Sequence, residues 1–254
     1  MDKFVPLDNL EKEGYAHIVC YPKVDAEELG RRLAEMKQLS VEALSFRGDK
    51  KVNNVQVLGK GYVGIVVLAK TRSGPAALKI RRTDSGRTGM GHEAKILEKA
   101  NSVDIGPKLL GCSENLLLME FVDGQPFPKW VEGVAETEDT RMIAKKVLKE
   151  ILEQCWRLDK IGVDHGELSN APKHIVVRGD GGVCILDFES ASVQRRVSNV
   201  TSVCHYLFMK GSIAETVRKK VVDVNSDSLL NALKAYKENR AKNNFERILK
   251  LCLF

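Results

Sequence analysis

Apolar residues recur every three or four positions between 137 and 161. Ile143, Val147, Leu148, Ile151, Leu152, Cys155 and Leu158 fall on one stripe, which predicts a long amphipathic helix that Gly162 would stop. The same period runs through Leu29, Leu33, Met36 and Leu44 behind an Asp25/Glu28 capping pattern. It predicts a helix to about residue 44, broken by Gly48-Asp49. Residues 197–221 and 226–250 read as two further helices. Elsewhere the pattern changes to short, continuous, largely β-branched runs. Ile65-Val66-Val67-Leu68-Ala69, Ala76-Ala77-Leu78-Lys79-Ile80, Leu116-Leu117-Leu118-Met119 and Val183-Cys184-Ile185-Leu186 read as strands. Phe4, Val5, Leu7, Ile18 and Val19 are suited to short strands in the mixed segment 1–24. There is no internal repeat and no low-complexity segment.

The strand pattern frames a glycine-rich turn, Leu58-Gly59-Lys60-Gly61-Tyr62-Val63-Gly64-Ile65-Val66. Glycines let backbone N–H groups approach phosphates closely, because no Cβ intervenes. By itself the pattern also fits a dinucleotide-binding turn, but that turn opens into a helix. Here a strand follows, and then a second strand carrying Lys79. Glu93 lies in Gly91-His92-Glu93-Ala94-Lys95-Ile96-Leu97-Glu98, a helical pattern that could hold a carboxylate against Lys79. A zinc-protease reading of His92-Glu93 fails, because Ile96 stands where a second histidine is needed. Three more pieces follow in order. The run Leu116–Glu120 stops at Phe121-Val122-Asp123-Gly124. His165-Gly166-Glu167-Leu168-Ser169 precedes Lys173-His174-Ile175-Val176-Val177. The apolar strand at 183–186 ends in Asp187-Phe188-Glu189.

These motifs, in this order, resemble the protein-kinase-like superfamily across roughly residues 50–210. Within it the chain is most similar to the RIO and KEOPS-type atypical kinases. It is closest to a group of archaeal predicted Ser/Thr kinases with His-Gly-Glu-Leu-Ser and Asp-Phe-Glu-Ser-Ala-Ser, a group that includes an archaeal tRNA ribose 2′-O-kinase. The resemblance implies an α+β, bilobal fold with a five-stranded N-terminal lobe and a helical C-terminal lobe. The expected organisation is an N-terminal extension over 1–48, an N-lobe over 49–122 and a C-lobe over 123–254. It implies ATP and Mg²⁺ as cofactors. Gly59, Gly61, Gly64 and Val66 would cover the nucleotide, Lys79 would pair with phosphates and with Glu93, and backbone groups of Glu120 and Val122 would bond the adenine edge. Glu167 stands where the family has a catalytic aspartate, and its carboxylate would orient the acceptor hydroxyl. Lys173 could neutralise the transferring phosphoryl group. Asp187 would hold the metal. The second metal position of the family falls on Pro172, which has no ligand atom, so His174 or Asn170 is left to assist.

Composition bears on the acceptor. The 254 residues carry a net charge of +6, but 190–254 hold twelve Lys/Arg against five Asp/Glu, so this stretch is +7 and the rest −1. Such asymmetry suggests a polyanionic partner. No Ala-Pro-Glu follows Asp187, so the peptide-docking platform of conventional protein kinases is missing. The resemblance implies a tRNA ribose 2′-hydroxyl, on a variable-loop uridine, as the acceptor; the missing platform and the basic quarter agree with it, and Arg195, Arg196, Arg218, Lys219 and Lys220 are the expected RNA contacts. A Ser/Thr protein substrate is the runner-up, and a degenerate, nucleotide-binding assembly factor is the third reading. Charged residues at 29% and few glutamines lean towards a thermophile. No apolar run is long enough for a membrane span, and Met1-Asp2-Lys3-Phe4 lacks the basic and apolar regions of a signal peptide. The cysteines form no Cys-x-x-Cys, and Cys112, Cys155 and Cys184 lie in apolar runs as expected buried thiols. A cytoplasmic protein without membrane partners is expected; its oligomeric state is left open.

Overall fold

The computed structural model describes residues 3–253. The chain forms two compact units, Met1–Glu98 with Pro107–Phe121, and Lys99–Gly106 with Val122–Phe254. Both helices and antiparallel strands are present, so the class is α+β.

The first unit is built on a seven-stranded antiparallel sheet. Its strands run in the spatial order Val5–Pro6, Val41–Ser45, Gly64–Thr71, Gly74–Arg81, Leu116–Glu120 and Leu109–Cys112, with Gly59–Lys60 paired alongside Ile65 and Val66. Seven strands replace the expected five because residues 1–48 contribute two of them. The same residues share one core with the sheet: Leu10, Ile18, Leu29, Met36 and Leu44 pack with Ile65, Val67, Leu78 and Ile80. The helix Ala26–Gln38 starts as expected, with the Asp25 carboxylate accepting the Glu28 N–H at 2.9 Å. It ends earlier than predicted. Ser40 takes the left-handed conformation, φ 59°, and Val41–Ser45 continues as a strand, so Leu44 is a strand residue. Ile18 and Val19, expected as strand, sit in a short helix, Ala16–Val19.

A fully buried guanidinium ties these parts together. Arg32 donates to Glu28 Oε1 and to the Val19 carbonyl, both at 2.6 Å, and to the carbonyl of Arg81 at the end of the Lys79-bearing strand. A buried charge persists only where it is paired and hydrogen-bonded.

The second unit is mainly helical. Its long helix runs Glu138–Lys160, opened by a reciprocal Thr137/Thr140 capping box and followed by Gly162 at φ 71°. Val147, Leu148, Ile151, Leu152, Cys155 and Leu158 are buried, whereas Ile143, expected on the same stripe, is half-exposed near the N-terminal end. Asp159, at the other end, is buried and accepts from Asn199 Nδ2 at 2.8 Å and Tyr236 Oη at 3.0 Å. One carboxylate thus joins three segments. A three-stranded sheet, Gln125–Pro126, Ile175–Val177 and Val183–Ile185, carries the loops of interest. The two helices expected after residue 197 are four helical segments. Asn199–Cys204 runs into a π-helical stretch, His205–Met209. Ser212–Lys220 follows a break at Gly211, φ 94°, and extended backbone at Asn239 parts Ser226–Glu238 from Lys242–Leu253. All six cysteines are free. Cys112 is exposed, against expectation, because its strand lies on an outer position of the sheet. No helix among the described residues is long and apolar enough to cross a membrane.

Candidate functional site

The glycine-rich turn is a tight hairpin. Gly61 N–H donates to the Gly64 carbonyl at 2.8 Å, and Tyr62 at the tip is exposed. Gly64 is required by close approach: a Cβ there would lie 3.0 Å from the Ile80 carbonyl and 3.0 Å from Lys79 Cγ. Val66 stands directly across from Lys79 in the next strand. Strand register therefore sets the lysine beside the turn.

Lys79 Nζ contacts both carboxylate oxygens of Glu93, at 2.9 and 2.8 Å, on the helix Gly91–Asn101. Lys79 is 4% exposed and Glu93 7%. Desolvating such a pair costs about as much as the attraction returns, so stability alone is a poor reason to keep it. Its geometry suits a lysine held in one direction. The Glu120 N–H, part of the expected adenine edge, is already donated to the Lys108 carbonyl at 2.8 Å. Val122 is the first residue after the boundary between the units.

A second cluster lies within the helical unit. Burial lowers the pKa of the His165 imidazole, and the neutral ring meets the Leu186 carbonyl through Nε2 at 3.0 Å. Its backbone N–H donates to Asn199 Oδ1 at 2.8 Å, and its ring packs edge-on to Phe188. These contacts make His165 the strut of the loop. Glu167 is half-exposed. Its Oε1 accepts from Ser190 Oγ, and its Oε2 faces His174 Nε2 at 2.9 Å. The His174 ring is 3% exposed, and its other nitrogen, Nδ1, is buried without a hydrogen-bond partner, 3.9 Å from Asp187 Oδ2. Asp187 itself takes φ 67°. That left-handed conformation is costly for a residue other than glycine and collects at functional sites. Asn170 N–H closes a turn onto the Glu167 carbonyl at 3.2 Å, and Asn170 and Lys173 are both exposed.

Sequence reasoning missed the clamp around this loop. Asp164 and Ser192 exchange backbone hydrogen bonds, 2.9 and 2.8 Å. Arg195 Nε reaches Asp164 Oδ2 at 3.0 Å, and its Nη2 reaches the Ser190 carbonyl at 2.7 Å. Gly166 has φ 89°, and a Cβ there would come within 2.4 Å of Arg195 Nη2. The adjacency of Asp164 to the His-Gly-Glu motif, and of Ser190 to Asp-Phe-Glu, was the available signal. Arg195 is thus committed to the chain. The other expected RNA contacts also have partners: Arg196 with the Lys237 carbonyl, Arg218 with Asp223 at 3.3 Å, Lys219 with Glu136 at 3.9 Å, and Lys220 with the Glu132 and Val134 carbonyls. Arg218 and Lys219 remain largely accessible, and such surface pairs are weak.

Among the described residues no three His, Cys, Asp or Glu side chains converge as a metal cage. Mg²⁺ is usually held by one or two carboxylates plus phosphate and water oxygens, and Asp187 fits that demand. The buried His174 nitrogen is not a donor Mg²⁺ favours.

No family model matches the chain. It is similar to the "Uncharacterized protein MJ1211" of Methanocaldococcus jannaschii, with 29% identity over 103 residues, or 41% of this chain and 83% of that protein.

Proposed function

We propose that the chain is an ATP-dependent phosphotransferase of bilobal, protein-kinase-like architecture, acting in the cytoplasm on a tRNA ribose 2′-hydroxyl. The observation that carries the reading is the buried Lys79–Glu93 pair beside the glycine hairpin, with Gly64 kept small by the lysine stem. It supports a lysine aimed at phosphate oxygens. In the second unit Glu167 has its two oxygens oriented by Ser190 and His174, and Asp187 lies next to His174.

The chemistry follows from these groups. Gly59, Gly61 and Gly64 admit the phosphates, and Lys79 carries positive charge to them. Glu167 orients the acceptor hydroxyl and takes its proton as the acceptor oxygen bonds to the γ-phosphorus. The bond from that phosphorus to the bridging oxygen breaks, and ADP leaves. Mg²⁺ bound at Asp187 would supply charge neutralisation on the phosphate oxygens. Positioning and electrostatics supply most of the rate in this reaction class. The six free cysteines suit a reducing compartment.

The internal partners of Arg195 and Lys220 weaken the case for a polyanion at those two residues, while Arg218 and Lys219 stay accessible; the runner-up is a Ser/Thr protein acceptor. Transfer of radiolabelled γ-phosphate to total archaeal tRNA, to bulk protein, or to neither separates the readings. Label on tRNA is expected. Label on protein alone would replace the acceptor, and nucleotide binding without transfer would leave an assembly factor.

A further inference from the structure

His174 is wedged between two carboxylates. When Nε2 carries the proton donated to Glu167 Oε2, Nδ1 is a bare lone pair. That lone pair is buried, has no hydrogen-bond partner and faces Asp187 Oδ2 at 3.9 Å. The bare lone pair and the half-exposed carboxylate oxygen are both electron-rich, and the gap between them is too long for a direct hydrogen bond. A divalent ion about 2.1 Å from each of two donors accommodates donor separations of roughly 3 to 4 Å. The Glu167 carboxylate behind the ring fixes the tautomer that leaves Nδ1 able to ligate, as an outer carboxylate does for a metal-bound histidine.

We propose that His174 Nδ1 and Asp187 Oδ2 are donors to one divalent ion, and that this mixed nitrogen and oxygen pair makes the centre prefer Mn²⁺ to Mg²⁺. Mg²⁺ is a hard ion that demands oxygen ligands and dehydrates reluctantly, whereas Mn²⁺, sharing its taste for carboxylate and water but a first-row transition metal, binds a nitrogen donor more readily than Mg²⁺ does. Phosphate and water oxygens complete the shell, since the described residues offer no third protein ligand of this kind. The inference rests on the phosphotransferase reading for the role of Asp187. It goes beyond that reading in naming the ligand atom and the metal.

Mn²⁺ electron paramagnetic resonance on the whole chain, with and without ATP, tests it. Pulsed measurements should show ¹⁴N modulation from a directly bound nitrogen, converting to the ¹⁵N pattern in protein grown with ¹⁵N-histidine. Mg²⁺ should displace the ion only at a tenfold or greater excess over the Mn²⁺ present. His174→Asn should remove the nitrogen signal and bring the two metals towards parity, with circular dichroism reporting the fold. If that variant unfolds, the isotope substitution in the unaltered chain still decides. Bound Mn²⁺ without nitrogen coupling, or a histidine nitrogen signal that persists in folded His174→Asn, would overturn the proposal. Loss of nitrogen coupling in a protein that still transfers phosphate with Mg²⁺ condemns only the metal assignment. Nitrogen coupling without any transfer condemns only the phosphotransferase reading.

Discussion

The Lys79–Glu93 centre and the Glu167–His174–Asp187 centre solve opposite problems. The first is a closed contact between a strand and a helix, buried on both sides, with both Glu93 oxygens used. The second sits on loops around a short hairpin, with a left-handed aspartate, two half-exposed carboxylates and an unpartnered ring nitrogen. One is a finished electrostatic unit that regular structure can position. The other stores strain and unmet bonding capacity, as a site waiting for ligands does. Stability and activity should therefore respond differently in the two places.

The largest effects separate them directly. Lys79→Met should abolish phosphoryl transfer and cost about 3–5 kcal/mol of stability, because the buried Glu93 loses the ammonium that contacts both its oxygens. Adding Glu93→Leu should restore most of the stability and none of the activity. Asp187→Gly should also abolish transfer but cost little stability, since the side chain is half-exposed and glycine accepts φ 67° without strain. Thermal melts beside turnover assays check both. A stable Lys79→Met, or a destabilised Asp187→Gly, would break the contrast.

Glu167→Gln should lower turnover by roughly a hundredfold or more, the scale of a general base, with Glu167→Asp milder. An inert Glu167→Gln would shift the acceptor-orienting role elsewhere. The cations give a smaller effect and sharpen the comparison further. Gln at Arg218 and Lys219 should weaken tRNA binding modestly and flatten its salt dependence, because each lost phosphate contact releases fewer counterions. Arg195→Gln should instead loosen the loop and reduce turnover with little change in the salt slope, since its partners are Asp164 and the Ser190 carbonyl. Titrations at two ionic strengths distinguish the two.

The smallest effect concerns an orphan atom outside both centres. The Tyr206 hydroxyl is buried without a partner, and burial has pushed its pKa up to about 12 from 10. Tyr206→Phe should stabilise the protein by about 1 kcal/mol at pH 7 by removing an unsatisfied group. A group whose folded pKa is raised contributes stability below its unfolded value and loses it above. The wild type should thus weaken between pH 10 and 12, and the variant less so. Denaturant unfolding at pH 7 and 11 measures this. A destabilised variant would mean that Tyr206 has a partner after all.

The sequence was most readable where one physical period dominated. The stripe of Glu138–Lys160 and its glycine stop were visible, whereas its Thr137/Thr140 cap, with no Glu or Gln at the third position, was not read. Leu44 misled because an apolar residue fits a helix as well as the strand that Ser40 starts by turning left-handed. The breaks at Gly211 and Asn239 were hidden because apolar spacing continued through them. Charge clustering showed a basic quarter, but no linear pattern shows that Arg195 folds back onto Asp164, or that Lys220 reaches the Val134 carbonyl. Long-range pairing of that sort is decided in three dimensions, as is the second face of His174.

The buried Arg32 sets a limit on how far the chain can be trimmed. Removing the first 24 residues would delete the Val19 carbonyl that it bonds, together with Val5–Pro6, which covers one edge of Val41–Ser45. A shortened protein starting near residue 49 would lose the guanidinium itself and open the edge of Gly64–Thr71, the strand beside Lys79. Raw strand edges recruit other chains. Proteolytic trimming of this segment should therefore yield aggregate rather than a minimal domain.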